Sequence, residues 1–149
     1  MNLEFEFAYR VTLKPPIEIG AGFYGKRMYW EIASGEVDGA RIKGALAGGS
    51  DWMIDTTDRF WRPHVRTQIR TADGAYVGMY YDGLVEKSDA FLKAIETSSG
   101  TDWGDHYFRI RPVLESAHPK YQWVNTVFFV GEGRVVVPGT VEYRVYRVT

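Results

Sequence analysis

The chain contains no cysteine. That excludes disulfides, thiolate nucleophiles and Cys-ligated zinc or iron–sulfur sites. Histidine is scarce. His64, His106 and His118 fall in three separate segments, with no i,i+4 pair and no H-E-x-x-H motif, so the expectation is no metal site. There is no G-x-S-x-G elbow and no lysine in a plainly apolar run, so nucleophilic catalysis is not indicated. Charge of one sign is also missing: 18 basic and 19 acidic residues give a net charge of −1, without a basic run or an acidic tail. Neither nucleic acid nor an anionic membrane is expected as a partner. No apolar run approaches the ~20 residues of a membrane helix. The start MNLEFEFAYR has neither the basic opening nor the apolar centre of a signal peptide, and a cytoplasmic location is expected.

What is present is a chain of 149 residues, enough for one domain with a real core. Aromatic residues make up 15%, with ten Tyr, eight Phe and five Trp, and they favour strands and line pockets for flat organic ligands.

Strand patterns dominate. Phe5, Phe7, Tyr9, Val11 and Leu13 alternate with Glu4, Glu6, Ala8, Arg10 and Thr12 until Pro15-Pro16. Met28, Trp30 and Ile32 share a face of the run Lys26 to Ile32, and Ala40 to Leu46 forms the next strand, closed by Gly48-Gly49-Ser50. His64 to Thr71 and Tyr76 to Tyr81 flank Ala72-Asp73-Gly74, a hairpin signal. Tyr107 to Leu114, Gln122 to Val130 and Thr140 to Val148 complete the set. One helix is expected over residues 89 to 97, with Ser88 as its N-cap. Eight to ten short strands with one helix predict an all-β fold, a closed or nearly closed antiparallel barrel or a sandwich.

The stretch GAGFYG, residues 20 to 25, fits G-x-G-x-x-G, a dinucleotide-binding fingerprint. That motif needs a helix after its last glycine, so that the helix N-terminus faces a pyrophosphate. Here KRMYWEIA follows, which is strand-like. GAGFYG therefore reads as a glycine-rich loop between strands, and no cofactor is expected.

General acid–base and hydrogen-bond chemistry on an aromatic wall remains. Asp51-Trp52 follows three flexible residues. Beside the apolar surface of a cavity mouth, Asp51 would have a raised pKa suited to proton transfer; in a turn it would bond nearby amides. His64, Arg66, Gln68 and Arg70 share one face of their strand. That face is either solvated or, in a barrel with a polar ligand, turned inward so that Arg66 holds a phenolate, enolate or carboxylate. Tyr81, Tyr107 and their neighbours either donate to an oxyanion or simply pack. Trp123 and Asn125 share an otherwise apolar face with Val127 and Phe129, where Asn125 either satisfies backbone or meets a ligand.

Taken together, LEFEFAYRVTL, GEVDGARIKGAL, GGSDW, VRTQIRTADGAYVGMYYDG, YFRIRP, YQWVNTVFFVGEGR and the closing VEYRVYRV resemble the family known as domain of unknown function 3237, over nearly the whole chain. The resemblance implies a single-domain antiparallel β-barrel, residues 1–149, with an open end and a central cavity. Most of that family has no assigned activity. Some members sit in natural-product pathways, and a fungal relative is associated with cofactor-free intramolecular addition of a hydroxyl to an alkene. The resemblance extends a pocket role to Asp51, Trp52, Arg66, Tyr81, Tyr107, Arg109, Trp123 and Asn125. His64 stands where an Asp is more typical, and Phe23 where Pro is more usual.

The expected function is a cofactor-independent enzyme of the lyase, isomerase or cyclase type. Asp51, Arg66 and Tyr81 would be catalytic, and Trp52, His64, Tyr107, Arg109, Trp123 and Asn125 would bind a small aromatic or polyketide-like substrate. The alternatives are a non-catalytic small-molecule-binding barrel, with the same lining, and a structural protein with a filled barrel. A homodimer is plausible from the strand-rich aromatic surface.

Overall fold

Alternation of apolar and polar residues sets ten strands in the computed structural model, which describes residues 1–149. They are β1 (Leu3–Leu13), β2 (Ile17–Gly22), β3 (Gly25–Gly39), β4 (Lys43–Asp55), β5 (Phe60–Arg62), β6 (His64–Thr71), β7 (Tyr76–Glu86), β8 (Phe108–Glu115), β9 (Phe129–Val137) and β10 (Thr140–Val148). All pairings are antiparallel. Eight strands close a barrel in the order β3, β1, β10, β9, β8, β7, β6, β4 and back to β3. Closure leaves no free edge within the ring. β2 adds to β3 outside the ring, and β5 bridges β4 and β7 at one end.

The helix forms where expected, as α1 (Asp89–Glu96), with the Ser88 hydroxyl accepting from the Phe91 amide. GAGFYG is the β2–β3 hairpin tip, with Gly22 opposite Gly25 and Phe23 97% exposed.

Three sequence expectations are corrected. The strand expected to close at Gly48-Gly49-Ser50 runs through them to Asp55. Residues 122–126, expected to open a strand running from Gln122 to Val130, belong instead to a 3-10 helix, Pro119–Thr126. Pro119 opens it, and His118 Nδ1 caps it by accepting from the Lys120 amide at 3.2 Å. The strand begins only at Phe129. Phe5 does not share the inner face with Phe7, because the β1–β10 register shifts between them and turns Phe5 to solvent.

Three tyrosines from facing walls cross the middle of the barrel. Tyr9 and Tyr143 stack at 4.5 Å between ring centroids, and Tyr81 meets them edge-on at 6.2 and 5.8 Å. On one side of this layer Phe7, Ile69, Val77, Ile110 and Val145 are fully buried in the barrel interior. The 3-10 helix closes that end through Tyr121 and Val124. On the other side the barrel is hollow.

Candidate functional site

The hollow half is a cavity of about 160 Å³. The β9–β10 turn (Pro138, Gly139) and Ile95 of α1 are part of its lining, and Ile95 is partly exposed there, which marks the mouth. Its walls are mostly apolar, and no lysine, arginine or histidine lines it.

Asp51 is the acid of this cavity. The backbone register places Trp30 opposite Asp51 on β3, Val65 opposite Asp51 on β6, and Tyr81 opposite Val65 on β7. Directly opposed residues face the same side of a sheet, so this row runs along the inner wall. Asp51 is only 9% exposed, and its Oδ1 accepts the His64 amide at 2.9 Å. Burial penalises the carboxylate and pushes its pKa from 3.8 to about 7, while the His64 bond acts the other way. The acid therefore gains and loses a proton near neutrality.

The tyrosines behave differently. Burial raises the Tyr81 hydroxyl above its ordinary range, and it does the same for Tyr9 and Tyr143. They stay protonated and act as donors. Tyr81 and Tyr143 line the cavity, while Tyr9 sits behind them with its hydroxyl buried and unpaired.

A β-bulge aims the acid. Between Leu46 and Gly49 of β4 one extra residue is inserted against β6. Leu46 faces inward, so unbroken alternation would send Ser50 and Trp52 inward and Asp51 out. The bulge reverses this and buries Asp51 and Met53. Gly48 and Gly49 carry it with φ of 79° and 123°, and a Cβ on Gly49 would lie 2.4 Å from the Arg66 carbonyl oxygen. The Thr67 hydroxyl donates to the Gly48 carbonyl at 2.6 Å, and Gln68 Nε2 donates to the Ala47 carbonyl, tying the bulge to β6.

Of the residues expected in the pocket, Asp51 and Tyr81 line it and the other seven do not. Trp52 follows Asp51 along the strand, so it faces outward, 47% exposed, against the edge of Tyr29. His64 and Arg66 flank the inward Val65 and so face solvent, with the Arg66 guanidinium 5.6 Å from the Tyr80 ring centroid. His64 reaches the site only through its amide. Tyr107 and Arg109 lie on either side of the inward Phe108. With His64 they line a groove on the outer wall, separate from the cavity. Trp123 belongs to the 3-10 helix, at the filled end, under the Arg41 guanidinium at 3.6 Å. Asn125 clasps Ser116, accepting from its amide at 2.9 Å and donating to its carbonyl at 2.8 Å.

Trp30, Trp61 and Tyr143 line the cavity and were not expected to. The alternation of Met28, Trp30 and Ile32, and of Val141, Tyr143 and Val145, carried the signal for the first and third. Trp61 lies on a strand too short to show any period. The three histidines are not brought together. His106 is buried beside Thr101 and the Glu86 carbonyl, while His64 and His118 lie on the surface. No group of three or more His, Asp or Glu side chains is placed to hold a metal ion. No helix is long and apolar enough to cross a membrane.

Known proteins share this architecture. A UPF0311 protein of Clostridium acetobutylicum is 33% identical over 132 residues, 87% of this chain and 84% of its own. The crystal structure of a conserved protein of unknown function from Rhodopseudomonas palustris matches with a TM-score of 0.89 at 27% identity, over 100% of this chain and 99% of that one. A protein described as an enzyme from Penicillium herquei shares the fold with a TM-score of 0.67 at 19% identity, over 97% of this chain and 93% of its own. The model of the family described as protein of unknown function (DUF3237) matches residues 1–148, and the chain belongs to that family.

Proposed function

We propose that the barrel is a cofactor-independent acid–base enzyme that isomerises or cyclises a small aromatic or polyketide-like molecule in its hollow half. The observation that carries this reading is Asp51: a carboxyl with a pKa of about 7, on an apolar wall, in the same cavity as two protonated tyrosines.

These groups suit intramolecular addition of a hydroxyl to a conjugated alkene. The Asp51 carboxylate takes the hydroxyl proton as the oxygen–carbon bond forms at the β-carbon. The alkene π electrons move onto the carbonyl oxygen, and a Tyr81 or Tyr143 hydroxyl donates to the resulting enolate. Asp51 then returns its proton to the α-carbon. The product is an isomer of the substrate, so no oxidant or co-reactant is consumed. Arg66 has no part in this scheme, because its side chain lies outside the barrel.

The test uses ortho-hydroxyphenyl vinyl ketone, which closes to chromanone by this route. Wild type should accelerate closure, with kcat/KM rising through an inflection near pH 7 as Asp51 ionises. Asp51→Asn should bind but lose about 10²–10⁴-fold in rate. Equal rates for the two proteins would rule out the acid–base role. Binding by both without conversion by either would make the barrel a small-molecule carrier.

A further inference from the structure

The pocket residues that stand on the outer wall make a site of their own. His64, Tyr107 and Arg109 line a groove of about 610 Å³ there, a volume in the range of small-molecule sites. Four arginines line it, Arg27, Arg62, Arg109 and Arg111, against one acid, Asp82. The whole chain carries a net charge of −1, so positive charge is gathered at this wall and not spread evenly over the surface.

Strand register brings them together. Arg27 lies opposite Ile54, and Ile54 opposite Arg62, across β3, β4 and β5. Trp61 lies opposite Val85, which sets the next residue, Arg62, beside Leu84 on β7; Leu84 in turn lies opposite Arg109 on β8. Directly opposed residues share a face, so Arg27, Ile54, Arg62, Leu84 and Arg109 form one row on the outside of the barrel. Leu84 is thus a half-buried apolar floor between two arginine-bearing strands, each about 5 Å away.

Not every charge in the groove is matched. Asp58 holds Arg62 at 2.6 and 3.0 Å, and Asp82 holds Arg111 at 2.5 and 2.8 Å. Arg109 has no carboxylate partner. Its Nη1 donates to the Phe108 carbonyl at 3.0 Å, and its guanidinium carbon lies 5.1 Å from the Tyr107 ring centroid. Glu132, opposite Arg109 on β9, engages Arg144 and the Tyr146 hydroxyl instead. Arg27, at the far end of the row, likewise bonds only the Trp52 carbonyl. An unmatched guanidinium offers a fork of N–H donors that fits a carboxylate or a phosphate. We infer that this groove is a second ligand site, which takes a small organic anion with its carboxylate or phosphate head on Arg109 and a flat apolar body over Leu84. The inner cavity, with one acid and no basic side chain, suits a ligand without that charge. The two sites therefore differ in chemistry, and the groove does not depend on the acid–base reading of Asp51.

The test is calorimetry with amide-resolved NMR, at an ionic strength of about 0.1 M, where exposed charges act over only about 10 Å. The probes are benzoate, phenyl phosphate, acetate, inorganic phosphate and benzyl alcohol. Benzoate, phenyl phosphate or both should bind, shifting the amides of Leu84 and Tyr107 and leaving those of Gly139 and Val141, in the cavity lining, unmoved. Whichever binds more tightly names the head group, and either order bears the inference out. Benzyl alcohol lacks the charge and should bind at least about tenfold more weakly. Acetate and inorganic phosphate lack the ring and should each bind at least about threefold more weakly than the matching ring compound. Arg109→Gln should weaken the better probe by about 5–20-fold, with circular dichroism confirming the fold. Arg70→Gln removes the same charge from an exposed position six residues from His64 along β6, about 20 Å, and should cost less than about twofold. Equal losses in the two variants would mean that a general positive field attracts the anion, and would overturn the inference. So would an Arg109→Gln protein that binds like wild type, benzyl alcohol or the ringless anions binding as tightly as the ring anions, shifts confined to Gly139 and Val141, or no binding at millimolar concentration.

Discussion

Two residues on the inner face of β10 contrast the halves of this barrel. Val145 is fully buried among Phe7, Ile110 and their neighbours, whereas Val141, four residues earlier, borders empty space. Between them Tyr143 belongs to the tyrosine layer. The filled half supplies dense contacts; the hollow half gives up such contacts and leaves an apolar wall around open space. On the hollow side, burial on an apolar wall raises the Asp51 pKa to about 7, and no arginine lines the cavity to lower it again. Stability and chemistry are thus divided along single strands.

The largest expected effect comes from cutting into each half. Phe7→Ala should cost about 3–5 kcal/mol, because it opens a cavity where packing is complete. Val145→Ala should cost about 1–2 kcal/mol and Val141→Ala well under 1 kcal/mol, since the latter only enlarges an existing space. Urea melts of the three variants decide the matter. Equal losses for the two valines would mean that the hollow half contributes as much packing as the filled one.

Next in size is the cost of the acid. Asp51 binds its proton more tightly when folded, with a pKa of about 7 against an ordinary 3.8. The stability this group contributes is therefore fullest at or below about pH 4, falls as pH rises toward 7, and stays low above that. The difference corresponds to about 4 kcal/mol as an upper figure. Asp51→Asn keeps an oxygen for the His64 amide and carries no charge. It should be more stable than wild type by about 2–4 kcal/mol near pH 8, with the advantage vanishing near pH 4. A gap between the two proteins that does not change with pH would show that Asp51 titrates as an ordinary surface acid.

The third effect is on rate. Tyr81→Phe keeps the ring in the tyrosine layer and removes one donor to the enolate, so kcat should fall by about 10–10²-fold with little change in KM. A rise in KM at unchanged kcat would make Tyr81 a binding group instead.

Much of the barrel was legible because strand alternation is a local signal. β6 reads directly from HVRTQIRT, the hairpin from ADG, and the helix from its Ser88 cap. The inner faces were legible only where no bulge intervened. Asp51 and Trp52 are neighbours on one strand and cannot both face the cavity, yet each has the chemistry of a pocket residue. Which of them enters is decided by the extra residue at Gly48-Gly49, whose effect depends on pairing with β6 rather than on local pattern. His64, Tyr107 and Arg109 do assemble, but on the outside, where the same alternation predicts them once Val65 and Phe108 are known to face in. Trp123 and Asn125 read as strand because Trp, Val, Val and Phe dominate the stretch; the turn made by Pro119 and the Asn125–Ser116 clasp overrode that propensity.

The smallest expected effect probes the boundary between the halves. Tyr9 belongs to the tyrosine layer, but its hydroxyl is buried without a hydrogen bond and does not line the cavity. Burying that group has already removed it from water, and its polar neighbours, the Tyr81 and Tyr143 hydroxyls, make no well-formed hydrogen bond to it. Tyr9→Phe keeps the ring stack with Tyr143 and removes only the unpaired oxygen. Stability should be unchanged or raised by up to about 1 kcal/mol, and turnover should be unaffected. The same change at Tyr143, which does line the cavity, should leave stability similar and lower the rate. If Tyr9→Phe instead slows turnover as Tyr81→Phe does, the three hydroxyls work as one chain, and the chemistry reaches through the layer into the half that packing alone was expected to own.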